Sequence, residues 1–257
     1  MKQTDTESRV YLVVDHGNTR TKGVIYAGGN EVASVTLEGE GTDELLELAE
    51  RHSVSRAIYC GTASGNTRLI ETLDRLLPAG CLVLTASLPL PIKIDYGTPG
   101  TLGADRIAAA VGARSLTDAA GIMVVDAGTC ITIDFVEGQT FKRGNISPGV
   151  SMRFRAMHEY SARLPLEHLD VGNLPESPFG EDTSTALRCG VANGITGELL
   201  LAYSVARAPA QAPALVLSGG DAPVISLLLN KFSIPHISRQ DVVMLGLLKI
   251  LQYNEDL

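Results

Sequence analysis

The feature that most limits how this chain can fold is a pattern that occurs twice. Near the start, "VVDHGNTRTKGVIY" (Val13 to Tyr26) sets strand-forming residues on both sides of a polar turn with an aspartate and a glycine. In "GIMVVDAGTCITIDFVEG" (Gly121 to Gly138) the order returns: apolar strand, acidic residue, small residue, glycine, hydroxyl residue, strand. Asp126 follows Asp15 by 111 residues, which is a domain-scale spacing. A chain that repeats a β-hairpin at that interval is built as two similar α/β halves. We place the halves at residues 1–115 and 116–257, and expect a cleft between them.

Each hairpin has chemistry that packing does not require. Asp15 ends a hydrophobic strand, where a carboxylate is costly to desolvate unless it is paired or holds a cation. In the turn, Gly17 lets the backbone approach a ligand, Asn18, Thr19, Arg20 and Thr21 supply donors, and Lys22 adds a positive charge. Such a loop suits phosphate. A carboxylate beside phosphate donors points to a nucleotide carried with a metal ion. A third element, "LSGGDAPVI" (Leu217 to Ile225), ends a strand in Gly219-Gly220 and starts a helix, so a flat base or ribose could lie against the backbone.

The rest of the pattern agrees with an α/β protein. Strands are expected at about 9–17, 21–27, 31–37, 56–61 and 81–86, with an amphipathic helix near 43–52. The Pro- and Gly-rich stretch 87–106 reads as an irregular connection leading into a helix over about 103–115. After the second hairpin come a polar segment, a long helix over 183–207, a strand at 214–220, and helices near 222–231 and 241–253.

Composition narrows the function. With 45% hydrophobic and 19% charged residues in 257, the chain can bury one large core or two smaller ones. Its net charge of −8 and lack of a basic run argue against nucleic acid as a partner. The four cysteines, Cys60, Cys81, Cys130 and Cys189, form no CxxC pair and no Cys/His cluster, as expected of reduced thiols in a cytoplasmic protein. The N-terminal "MKQTDTESRV" is polar, unlike a secretory signal, and no run approaches the roughly 20 apolar residues of a membrane span.

Five motifs, "DHGNTRTK" (Asp15 to Lys22), "YGTPGTLGADR" (Tyr96 to Arg106), "DAGTCITID" (Asp126 to Asp134), "GNISPGVSMR" (Gly144 to Arg153) and "DTSTALRCG" (Asp182 to Gly190), occur in an order and spacing that resemble the type III pantothenate kinases. That family belongs to the acetate and sugar kinase, Hsp70 and actin superfamily. The first and third motifs are common to the superfamily in loose form, whereas "YGTPGTLGADR" is the selective one. The resemblance implies a duplicated ribonuclease H-like (actin-like ATPase) fold and phosphorylation of the pantothenate hydroxyl by ATP, the opening step of coenzyme A synthesis. It also implies a homodimer that uses a divalent cation, Mg²⁺, and a monovalent cation, K⁺ or NH₄⁺.

Carried over position by position, Asp15, His16, Gly17, Asn18, Thr19, Arg20, Thr21 and Lys22 would embrace the ATP phosphates, and Thr129 would reach one of them. Asp105 would be the base, with Tyr96, Gly103, Ala104, Asp105, Arg106 and Thr183 around pantothenate. Asp126 would hold the monovalent cation. The residues make the same sense read alone, because phosphoryl transfer needs positioning, positive charge and one carboxylate for the attacking hydroxyl. A helix-start aspartate also has a purely structural use, favoured by the dipole. Strand alternation turns His16 to the opposite face from Asp15, toward packing or solvent. Met152, Phe154 and Met157 are spaced as the apolar side of a helix, for a core or a subunit interface.

This chain departs from the family in carrying Arg143-Gly144-Asn145 before its "PG" segment, Asp182 before Thr183, and His16 after the first aspartate. Two other readings stand beside this one. One is a kinase of the same superfamily acting on another small hydroxyl or carboxylate, which would not need "YGTPGTLGADR". The other is a non-catalytic regulator, which would have no use for Asp105, Asp126 and Lys22 together.

Overall fold

The computed structural model describes residues 9–17, 19–61, 66–85, 87–206 and 212–257. The first part runs β1 (Val10–His16), β2 (Arg20–Ala27), β3 (Asn30–Glu38), α1 (Thr42–Arg51), β4 (Arg56–Gly61), α2 (Thr67–Leu76) and β5 (Cys81–Val83). After β6 (Lys93–Ile94), a 3₁₀ turn at Pro99–Thr101 leads into α3 (Ala104–Arg114). The second part runs β7 (Gly121–Ala127), β8 (Cys130–Glu137), β9 (Thr140–Pro148), α4 (Val150–Glu159), α5 (Thr183–Ala206), β10 (Ala214–Ser218), α6 (Ala222–Asn230), β11 (Ile237–Ser238) and α7 (Val242–Glu255).

The duplication is explicit in the topology. One sheet has the order β3-β2-β1-β4-β5, and the other has β11-β10-β7-β8-β9-β6. Matching β1 to β7, β2 to β8, β3 to β9, β4 to β10 and β5 to β11 superposes the two orders. The senses match too: each hairpin is antiparallel, and the strands across from it (β4 on β1, β10 on β7) are parallel. In both sheets the first strand is central and buried on both sides, which explains why "VYLVV" and "IMVV" read as unbroken apolar runs.

By contact density the chain forms two compact units: Met1–Lys93 with Gly97–Gly112 and Val243–Leu257, and Ile94–Tyr96 with Ala113–Val242. The division expected at residue 115 thus differs at the end of the chain, since the last helix belongs to the first unit. Packing causes this. A Cβ on Gly246 would lie 1.8 Å from the carbonyl oxygen of Ala108, so α7 can approach α3 closely only with glycine there. At the far end of α7, Glu255 accepts a hydrogen bond from Tyr11 (2.6 Å), pairs with Arg9, and lies 3.6 Å from Arg56.

Burial alone would push the Glu255 carboxyl up, but the Tyr11, Arg9 and Arg56 interactions outweigh it and hold it below the ordinary carboxylate range. Its contribution to stability is therefore complete above the ordinary value and is lost as pH falls through the lowered one. We expect Glu255→Ala to lower the unfolding free energy at neutral pH by about 1–3 kcal/mol, the scale of hydrogen bonds to a charged group. In chemical denaturation, the gap between variant and parent should narrow in acid. A gap that is constant from neutral to acid pH would refute this assignment.

Besides the unexpected two-residue strands β6 and β11, two longer elements differ from expectation. The first is β9, with which the polar segment expected after the second hairpin begins; it pairs with β8 along its whole length. Only Phe141 is buried, so its alternation is masked by Lys142, Arg143, Gly144 and Pro148. The second is α2, capped by the Asn66 side chain on the Leu69 amide (3.0 Å). Its buried Leu69 and Leu73 lie at i and i+4, a signal the sequence does carry.

Candidate functional site

In the first unit, the register of β1 decides which side chains meet. Asp15 lies opposite Lys22 on β2 and beside Cys60 on β4, so all three project from one face of the sheet. Tyr11 is on that face as well and reaches Glu255 of α7. The other face carries Leu12, Val14, Ala57 and Tyr59, packed with Leu45 of α1 and Leu69 and Leu73 of α2. Helices α1 and α2 thus cover one face, while α7, with α3 against it, lies on the face of Asp15.

Helix α3 brings Asp105 to this side in its first turn. The carboxylate is exposed, and its Oδ1 accepts the Arg106 backbone N–H at 2.9 Å. A Cβ on Gly103 would stand 2.4 Å from that oxygen, so glycine leaves room for the carboxylate. Burial pushes the Cys60 thiol well up, and the charges of Asp15 and Asp105 add to the effect. Both carboxylates are therefore in electrostatic reach of one buried sulfur, despite being 90 positions apart in the chain. Arg106 itself is buried, 6% exposed.

The turn between β1 and β2 is closed by the Gly17 N–H on the Arg20 carbonyl at 3.0 Å. Thr19 and Arg20 are exposed and Lys22 is half-buried. Asn18 lies outside the described residues. Two members of the expected phosphate set are engaged elsewhere. Thr21 is fully buried and donates its hydroxyl to the Gly39 carbonyl, so its side chain is no phosphate donor. His16 is on the α1/α2 face, with Nδ1 2.6 Å from the Tyr59 hydroxyl, in line with its expected direction away from Asp15.

In the second unit the hairpin is repeated with a different chemistry. The Gly128 N–H closes the turn on the Cys130 carbonyl at 2.9 Å, one residue tighter than in the first copy. Asp126 faces Thr132 on β8 and Ser218 on β10, where Asp15 faces a lysine and a cysteine. The duplicated aspartates are thus unequal: the first sits beside a cation, the second among hydroxyls. The Thr129 carbonyl accepts the Gly149 N–H at 3.0 Å, and a Cβ on Gly149 would come within 2.1 Å of the Gly128 oxygen, so the "PG" segment lies directly on this turn.

The strand-to-helix turn after β10 packs on the same hairpin. Gly219 has φ +93°, and a Cβ there would lie 2.3 Å from the Ala127 oxygen; on the Cβ side of Gly220, nothing lies within 4 Å. The first glycine is required by the fold, and the second leaves open backbone. Asp221, which lies in the quoted "LSGGDAPVI" but has no role of its own in the sequence reading, donates its N–H to Ala127 (2.9 Å) and accepts the Val150 N–H at the start of α4. Burial pushes its carboxyl up, against the opposing effect of that amide.

Tyr96 is half-buried, edge-on to Phe141 with ring centroids 5.7 Å apart. Thr183 is exposed as the first residue of α5. Asp182 explains itself locally: its Oδ1 accepts the Thr185 N–H at 2.7 Å while the Thr185 hydroxyl accepts the Asp182 N–H at 3.0 Å, a reciprocal helix cap. The carboxyl is held below its ordinary value chiefly by the Thr185 amide. Ala104 opens α3. Among the described residues no group of three or more His, Cys, Asp or Glu could hold a metal ion.

Residues 11–203 match the family model described as type III pantothenate kinase. A type III pantothenate kinase from Bacteroides fragilis is 37% identical over 246 residues, 95% of this chain and 98% of that protein. Among solved structures, a candidate Baf family transcriptional activator from Campylobacter jejuni matches with TM-score 0.62 and 25% identity over 96% of this chain and all of its own. The ROK hexokinase from Thermus thermophilus matches in fold, with TM-score 0.51 and 15% identity over 97% of this chain and 99% of its own.

Proposed function

The chain belongs to the type III pantothenate kinase family, and from that premise we propose how its residues transfer the γ-phosphate of ATP to the hydroxyl of pantothenate, the opening step of coenzyme A synthesis. The observation that carries the assignment is the placement of Asp105. An exposed carboxylate in the first turn of α3, given room by Gly103, lies in electrostatic reach of the same buried sulfur as Asp15, the aspartate of the phosphate hairpin.

Asp105 takes the proton of the pantothenate hydroxyl as its oxygen attacks the γ-phosphorus. The bond from that phosphorus to the β,γ-bridging oxygen breaks, and ADP leaves. The Gly17 turn, with Thr19, Arg20 and Lys22, holds the phosphates, and Gly103, Ala104 and Arg106, beside Asp105, take pantothenate. The family resemblance adds Thr129 to the phosphate contacts and Tyr96 and Thr183 to those of pantothenate. Gly220, open on its Cβ side, receives the adenosine.

A divalent ion, Mg²⁺, suits Asp15 because a hard cation prefers oxygen and the phosphates complete its shell. Bound there, it would neutralise charge on the phosphates. A monovalent ion, K⁺ or NH₄⁺, suits Asp126, whose register neighbours Thr132 and Ser218 are both hydroxyl residues.

The protein works in the cytoplasm as a homodimer. Its thiols are free, and no described helix is long and apolar enough to cross a membrane. Of the helix-spaced Met152, Phe154 and Met157, read as serving a core or a subunit interface, Phe154 is 1% exposed in the core of its own unit and Met157 packs against that core. Large apolar side chains of the second unit that do reach solvent, Ile146, Tyr160, Phe179, Leu201 and Val205, are available instead.

Release of ADP from ATP should depend on added pantothenate and not on sugars or acetate. ADP release with a sugar or acetate, and none with pantothenate, would assign the site to another kinase of the superfamily. We further expect Lys22→Ala to raise the ATP concentration needed for half-maximal rate and to slow transfer, because it removes the cation opposite Asp15. An unchanged ATP dependence would make Lys22 a surface lysine.

A further inference from the structure

The phosphate turn of the first unit is anchored by a hydrogen-bonded chain that the reaction does not use directly. Tyr59, on β4, is 2% exposed. Its hydroxyl oxygen accepts the backbone N–H of Asn66 at 3.0 Å and lies 2.6 Å from Nδ1 of His16, the last residue of β1. Asn66, also 2% exposed, caps α2 through Oδ1 and donates its amide to the Thr42 hydroxyl (2.6 Å) at the first residue of α1. One tyrosine oxygen thus joins the end of β1 to the N-termini of both helices.

A backbone N–H can only donate, so the Asn66 bond occupies one lone pair of the Tyr59 oxygen. Two arrangements then remain for the 2.6 Å contact with His16: the Tyr59 hydroxyl donates to Nδ1, which puts the imidazole proton on Nε2, or an Nδ1–H donates to the second lone pair, and the proposal takes the first. Burial, the largest influence, pushes the Tyr59 hydroxyl above the ordinary phenol value, and Cys60, Glu40 and Asp15 act in the same direction against the Asn66 amide, so the proton stays in place. Space for this arrangement comes from Gly61, where a Cβ would stand 2.6 Å from the Tyr59 oxygen.

We propose that Tyr59 is a positioning residue for ATP: by fixing His16 as the Nε2–H tautomer and tying it to the Asn66 cap, it sets the backbone that feeds the Gly17 turn. His16 precedes Gly17, whose N–H closes that turn on Arg20. A rotating His16 side chain would loosen the peptide from which the turn begins. A donor network held by buried, satisfied groups is rigid, and rigidity in a phosphate loop appears as ATP affinity. The proposal rests on the hairpin being the phosphate site, and it adds a residue outside that site.

The test joins spectroscopy to kinetics on the full chain. Nitrogen-15 NMR of histidine-labelled protein should show His16 with Nδ1 unprotonated and Nε2 protonated, and Tyr59→Phe should abolish that signature while the circular dichroism spectrum stays that of the parent. In the pantothenate-dependent assay, Tyr59→Phe should raise KM for ATP about tenfold, the scale of one lost hydrogen bond, with kcat and KM for pantothenate within about twofold. His16→Phe, which keeps Tyr59 on the Asn66 cap, should match it, and His16→Asn, whose side-chain oxygen can accept from Tyr59, should recover most of the loss. The double variant should be no worse than either single one. An Nδ1–H tautomer in the parent, or an unchanged KM for ATP in both Tyr59→Phe and His16→Phe, would overturn the proposal. Should the acceptor prove not to be pantothenate, the assignment of the reaction fails while the tautomer and the ATP arm still decide the role of Tyr59.

Discussion

Asp105→Asn lowers turnover with pantothenate by about 10²- to 10⁴-fold, the usual worth of a positioned general base, and leaves ATP binding close to that of the parent. The asparagine oxygen can still accept the Arg106 N–H that Oδ1 accepts now, so α3 starts in the same place. What is lost is the ability to take a proton. Single-turnover rates measured at saturating ATP and pantothenate, alongside ATP titration, separate the two quantities. Turnover within a few-fold of the parent in a folded variant would show that the carboxylate only decorates the helix start.

Asp126→Ala removes most of the activity and, with it, the response to the monovalent cation. The parent should be active in potassium or ammonium and poorly active when sodium is the only monovalent cation, because a larger ion suits a site of one carboxylate among hydroxyl and carbonyl oxygens. Asp126 lies at the end of β7, where β8 and β10 present Thr132 and Ser218 beside it. Loss of the carboxylate leaves neutral oxygens, too weak a set to hold the ion at ordinary salt. Full activity of the parent in sodium alone, or a variant that keeps its potassium response, would remove Asp126 from the cation site. Light scattering on the same samples should give about twice the chain mass of 27.2 kDa.

Much of this architecture was legible in one dimension because the duplication repeats short-range signals. Both hairpins have apolar strands around a glycine turn, and Asp15 and Asp126 mark the same position in each. Strand alternation was enough to turn His16 away from Asp15. Local signals also existed for α2, in the Asn66 cap and the Leu69/Leu73 spacing, and for the Asp182–Thr185 cap of α5. β9 was hidden, since a strand that buries only Phe141 needs little apolar periodicity once β8 and β6 on either side supply its hydrogen bonds.

The sequence by itself determined the repeated fold, the family and the identities of the chemical groups, because these are written in local pattern and motif order. Only the tertiary structure decided which of those groups face one another. It set Lys22 against Asp15 but hydroxyl residues against Asp126, withdrew Thr21 to Gly39, buried Phe154 in its own core, and added Tyr59, Asn66 and Asp221, to which no motif had given a role. The placement of α7 with the first unit likewise depends on Gly246 meeting Ala108, a contact between residues 138 positions apart. The physical reason is the same in each case: strand register and close backbone approach are set by pairing between distant segments, and a side chain's partner follows from that pairing and not from its neighbours in the chain.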